Sequence, residues 1–162
     1  MLRKFGGLIA VAVMIVVLAG CQSYEEISMM LGADVSKAEV ISKIDSHGGF
    51  HGDGERYLEF QFADDTFENT IKKDNTWHAL PLQDDSIEAL LYGKNIGEIT
   101  YGPYLQEAFP KVEEGYYFFY DRHTESGDPF DTSKVLGRSS MNVTVALYDS
   151  EKDLLYFVEM DT

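Results

Sequence analysis

The chain has a single cysteine, Cys21, so no disulfide can form within it. Basic side chains are scarce: 13 Lys and Arg stand against 28 Asp and Glu, a formal net charge of −15. Nucleic-acid binding is disfavoured on that balance, because phosphate contact is carried by Lys and Arg. The apolar run LIAVAVMIVV, from Leu8 to Val17, falls short of the roughly 20 residues of a membrane-spanning helix. No G-x-S-x-G elbow, Walker loop, dinucleotide fingerprint or H-E-x-x-H pair occurs, which removes the usual sequence signatures of those enzymes. Ser46 and His47 are neighbours, but no orienting acid is visible for a nucleophilic triad. No internal repeat or low-complexity segment is present.

What is there begins with an address. Arg3 and Lys4 precede the apolar run, and Leu18-Ala19-Gly20-Cys21 follows it. A charged start, an apolar stretch and small residues at a cut site describe a secretory leader. The four-residue motif resembles a bacterial lipobox. That resemblance implies cleavage before Cys21, a diacylglycerol thioether on its sulfur and acylation of the new amino terminus. It also accounts for a lone thiol in an exported chain. Gln22 is not the Asp that tends to retain lipoproteins at the inner of two membranes. The expected organisation is a leader over 1–20, a lipidated Cys21 with a tether over 21–36, and one domain over 37–162. The tether is read as a flexible segment of roughly 20 Å, with Ile27, Met30 and Leu31 able to form an amphipathic turn or two.

The domain reads as α+β: an antiparallel, curved sheet of about five to six strands with one short helix on a face. Strands are predicted over 37–45, 55–62, 115–121, 141–148 and 154–160, with a weaker candidate over 66–73. In ERYLEFQF, Leu58, Phe60 and Phe62 alternate with Tyr57, Glu59 and Gln61, the period of a half-buried strand. In MNVTVALY, Met141, Val143, Val145 and Leu147 are expected inward. The link DSEKD suits a hairpin. The helix is predicted over 84–93, with Asp85 and Glu88 as a capping box and Gly93 as its stop. Trp77, Leu80, Pro81 and Leu82 are expected to plug the core beside an exposed His78. Tyr101 and Tyr104 stand in a Tyr/Gly/Pro loop that suits core packing or a partner.

The densest chemistry is in DSHGGFHGDGE. Asp45, His47, His51, Asp53 and Glu55 fall within eleven residues together with four glycines. Imidazole and carboxylate are ordinary zinc ligands, so His47 and His51 are candidate metal ligands. The glycines argue against a helix that would align them, and Phe50 and Arg56 occupy positions where a calcium loop needs glycine and an acid. Two other readings stand beside this one: a partner-facing loop whose glycines admit close backbone approach, and a plain strand-to-strand connection. A second acidic stretch holds Asp121, His123, Glu125, Asp128 and Asp131, which suits either a solvated loop or calcium. If both loops leave one end of the sheet, His47, His51 and His123 would converge on one ion.

The body, in DSHGGFHGDGE, YGPY, GYYFFYDRH and YDSEKDLLYFVEMDT, is similar to small, uncharacterised bacterial lipoproteins. The resemblance implies an extracytoplasmic lipid-anchored domain and carries no catalytic residue. The expectation is therefore a non-catalytic binding or accessory domain on the outer face of a cell membrane, without cofactor. Its partner would be a basic protein, a peptide or a cell-envelope component. The alternative is a metal-binding protein or metal-dependent hydrolase using His47 and His51 with zinc or calcium.

Overall fold

The computed structural model describes residues 24–48, 52–104 and 109–162. The chain divides into two units, Met1–Lys37 and Ala38–Thr162. In the first, residues 24–31 form a helix, α1. Ser28 Oγ donates to the Tyr24 carbonyl at 2.8 Å and accepts from the Val35 amide at 3.0 Å. Ile27, Leu31, Ala33 and Val35 are buried, while Met29 is exposed. Within the segment expected as a tether, residues 24–31 form the two turns that Ile27, Met30 and Leu31 allow, so that part is not a flexible chain. Cys21 and the segment expected as a leader, residues 1–20, lie outside the described residues.

The second unit is built on six antiparallel strands in the order β1-β2-β8-β7-β6-β3. They are β1 (Glu39–Asp45), β2 (Gly54–Gln61), β3 (Trp77–Ala79), β6 (Gly115–Asp121), β7 (Asn142–Asp149) and β8 (Leu154–Asp161). A separate two-stranded ribbon joins β4 (Lys94–Ile96) to β5 (Ile99–Tyr101). The large sheet is open, with β1 and β3 at its edges. The fold class is α+β.

β7 and β8 form the central hairpin. Asp149 Oδ1 accepts from the amides of Glu151 and Lys152 at 3.0 and 3.2 Å. Asp153 turns the chain with φ 51°, and the Tyr148 hydroxyl donates to its carboxylate at 2.9 Å. Burial explains why these strands are so apolar. Val143, Val145 and Leu147 are buried, but so are Thr144, Ala146 and Tyr148. Both faces of the sheet are covered, not one.

Two helices do the covering within this unit. The predicted helix is α3 (Asp85–Tyr92). Ile87, Leu90 and Leu91 join Tyr117, Phe119, Val143, Val145, Leu147 and Val158 in one cluster. Its capping residue is Asp84, one position earlier than expected; the carboxylate accepts from Ser86 and Ile87. Gly93, at φ 75°, ends it as expected. The segment expected as a weak strand over 66–73 is instead helix α2 (Thr66–Ile71). Phe67 stacks on Phe62 at 4.3 Å and meets Tyr148 at 5.4 Å and Trp77 at 5.9 Å. Tyr148 and Leu147 are adjacent in a strand and point to opposite faces, so α2 and α3 pack on opposite sides. Trp77 is buried as expected and His78 is exposed.

β1 is the least covered strand. Ile41 and Ile44 are among the exposed large apolar residues. The pairing Val40↔Phe60, Ser42↔Glu59 skips Ile41, which forms a bulge.

Gly115 opens β6 with φ 144°, and a Cβ there would lie 1.8 Å from the Tyr148 carbonyl oxygen. Gly48 has no such conflict; its nearest approach would be 3.9 Å. Gly115→Ala is expected to cost about 3 kcal/mol or more, and Gly48→Ala to stay within about 0.5 kcal/mol. Urea denaturation of both variants checks the contrast.

Candidate functional site

The chemistry-bearing residues gather at the end of the sheet where β1, β8 and β6 finish and β2 and β7 begin. The β1–β2 hairpin runs past the strands: the Ser46 amide donates to the Glu55 carbonyl at 2.8 Å, and the Gly48 amide to the Asp53 carbonyl at 3.3 Å. Ser46 Oγ donates to the Glu55 carbonyl and accepts from its amide, so this hydroxyl is occupied by the turn. Beyond it the chain crosses Gly54. A Cβ on Gly54 would sit 2.4 Å from His47 Cα and 2.6 Å from its nitrogen. Only glycine permits that crossing, and the crossing carries His47 over β2 toward β8.

His47 then lies between two carboxylates. Its Nδ1 is 2.8 Å from Asp45 Oδ1 and its Nε2 is 3.1 Å from Asp161 Oδ2. The other oxygen of Asp161 accepts from Arg122 Nη2 at 2.5 Å. Arg122 Nη2 also donates to the Met160 carbonyl at 3.2 Å, and its Nη1 donates to the fully buried Thr144 hydroxyl. Arg122 Nη1 is 3.6 Å from Glu159 Oε1, and Glu159 Oε2 accepts Arg56 Nη2 at 2.6 Å. Arg56 sits over the Phe157 ring at 5.9 Å and is the cross-strand partner of Asp45. The contacts run with alternating sign through Asp45, His47, Asp161, Arg122, Glu159 and Arg56, and the charge of Arg56, facing Asp45 across the β1–β2 pair, completes the ring. It is neutral only when His47 carries its proton.

The electrostatics follow. Partial burial alone would lower the His47 pKa, but its bonds to Asp45 and Asp161 outweigh that and hold it above the ordinary 6.5. For Asp45, burial pushes upward, while bonds from the His47 ring and amide bring it below 3.8.

Beside the ring are two adjoining shallow recesses of about 500 and 540 Å³. Asp53, Asp161 and Thr162 line both. Ser46, Glu55, Tyr104 and Met160 belong to the larger.

The residues singled out from sequence are thus only partly brought together. Asp45 and His47 are joined. Asp53 and Glu55 line the recess, with Glu55 buried. His51 lies outside the described residues. His123 is exposed; its amide donates to Asp121 Oδ1 at 3.0 Å and its carbonyl accepts from Arg138 at 3.1 Å. Among the described residues, His47 and His123 share no hydrogen-bond partner: the ring of His47 meets Asp45 and Asp161, whereas the backbone of His123 meets Asp121 and Arg138. Asp121 pairs with Arg138 at 2.7 Å in a buried bridge. Asp128 and Asp131 accept from the amides of Phe130 and Ser133, the bonding of turn-forming acids. Among the described residues, no group of three or more His, Cys, Asp or Glu side chains is arranged to hold a metal ion. A cation approaching His47 would first have to displace a carboxylate from a ring nitrogen.

Arg56, Arg122, Thr144, Glu159 and Asp161 were not singled out from sequence. The available signal was Glu159 and Asp161 two apart in a strand, hence on one face. Among the described residues every arginine, Arg56, Arg122 and Arg138, lies at this end.

No protein family matches the sequence, and no curated protein or solved structure matches it either.

The ring predicts a pH window. His47 is held above 6.5, so its contribution is complete below about that pH and fades as pH rises through the raised value. Asp45 is held below 3.8, so its contribution is complete above that pH and is lost as pH falls through the lowered value. The stability gap between the native protein and His47→Gln should be widest between about pH 4 and 6.5 and narrow toward pH 9. Urea titrations at several pH values measure it.

Proposed function

We propose that this chain is a lipid-anchored, non-catalytic binding or accessory domain on the extracytoplasmic face of a membrane. What supports the non-catalytic reading is that the polar side chains at the sheet end are engaged with one another. A His flanked on both ring nitrogens by carboxylates is an imidazolium, not a base. The Ser46 hydroxyl beside it is held by the backbone of Glu55, so no activated nucleophile stands there.

The anchor rests on Leu18-Ala19-Gly20-Cys21 after the apolar run. Two acyl chains give lasting attachment where one is marginal, at about 0.8 kcal/mol per buried methylene. The acidic charge favours a basic protein, peptide or envelope component as partner, through attraction that weakens with salt. Asp53, Glu55 and Asp161 concentrate that sign around the recesses.

Expression with the leader in a bacterial host tests the anchor. The expected product starts at a diacylglyceryl Cys21 by mass spectrometry and partitions with membranes. Cys21→Ser should abolish the lipid and leave the leader uncleaved. A free thiol on an intact leader, or cytosolic fractionation, overturns the anchor. Stoichiometric zinc in untagged purified protein overturns the metal-free reading.

A further inference from the structure

We propose that His47 is a proton-operated clasp between β1 and β8: doubly protonated it ties Asp45 to Asp161, and on losing one proton it keeps Asp45 and releases Asp161. The argument is stoichiometric. A carboxylate only accepts hydrogen bonds, and a neutral imidazole has one N–H and one lone pair. Contacts of 2.8 and 3.1 Å to two carboxylates therefore require both ring protons. When one leaves to solvent, a ring lone pair faces a carboxylate oxygen and that contact becomes repulsive.

Geometry decides which contact fails. Asp45 is the closer carboxylate, two residues away, and the same oxygen also accepts the His47 amide at 3.1 Å. Asp161 is 114 residues away in sequence, more distant in space, and keeps Arg122 as a partner. The proton stays on Nδ1, and the Nε2 contact is lost.

The other charges facing this site set where it responds. Asp45 and Asp161 hold the proton on, from β1 and β8. Arg122, after β6, and Arg56, on β2, are held by Glu159 and Asp161. Gly54 of β2 contributes no side chain, and Asp53 lines the recess shared with Asp161. Deprotonation takes the ring from neutral to one net negative charge. It also frees Asp161 Oδ2 beside Asp53. The sheet end thus becomes more acidic, and the β1–β2 turn loses its tie to β8, as pH rises.

Long-range ¹H–¹⁵N spectra of the His47 ring test this directly. Both nitrogens should carry protons at pH 5.5 and Nδ1 alone at pH 9. Over the same midpoint, hydrogen-exchange protection of the Ser46 and Gly48 amides should fall on the order of fivefold. Asp161→Asn should lower the midpoint, and His47→Gln should flatten the pH dependence of protection. A neutral ring at pH 5.5, Nε2–H as the neutral tautomer, protection that ignores the titration, or a midpoint unmoved in Asp161→Asn each overturn the clasp.

Discussion

β7 and β8 pair over eight residues, from Asn142↔Asp161 to Asp149↔Leu154, and the other strands take their register from this hairpin. Its turn is closed by Asp149 and by the Tyr148 hydroxyl on Asp153. β2 aligns along β8 without a slip, and β6 along β7. Because side chains alternate, that one register assigns every residue to a face. It puts Leu147, Val145 and Val143 under α3, and Tyr148 against Phe67 of α2. It also stacks Arg56, Glu159 and Thr144 in a single cross-strand row. A slip of one residue would send that row to the opposite face.

How much of this was legible depends on how local each signal was. The strands 55–62, 115–121 and 154–160 were readable because apolar periodicity needs no knowledge of partners. α3 was readable from Ile87, Leu90 and Leu91 with a glycine stop. Its cap was misplaced by one because Asp84 and Asp85 are both good caps, and the difference lies partly in Thr132, whose hydroxyl donates to Asp84 at 2.6 Å. α2 is hidden in the sequence because TFENTIKK alternates about as well as it spirals. The tertiary contacts of Phe67 and Ile71, both buried, decide for helix. The short β3 and the β4–β5 ribbon carry too few residues to show a period.

The candidate site was half visible for a related reason. The glycine run was legible as unusual, and Asp45 with His47 as its reactive part. The remaining members of the ring are ordinary charged residues: Arg56 on β2, Glu159 and Asp161 on β8, and Arg122 just after β6. They become neighbours only through register. The role of Gly54 was hidden in the same way. A glycine in a loop suggests a turn, yet here its missing side chain makes room for the backbone of His47. In the sequence, the acids nearest the histidine are Asp45 and Asp53. The fold supplied a counter-ion from 114 residues away.

The bulge at Ile41 has a consequence for crowding. Among the described strands, β1 has one neighbour, so its outer rim offers backbone groups to any passing strand. An extra residue at Ile41 interrupts the even spacing that a second rim needs for zippering, and Lys43 adds a charge two positions on. The irregularity that leaves β1 the least covered strand of the sheet also makes its rim a poor template for a second copy of the chain.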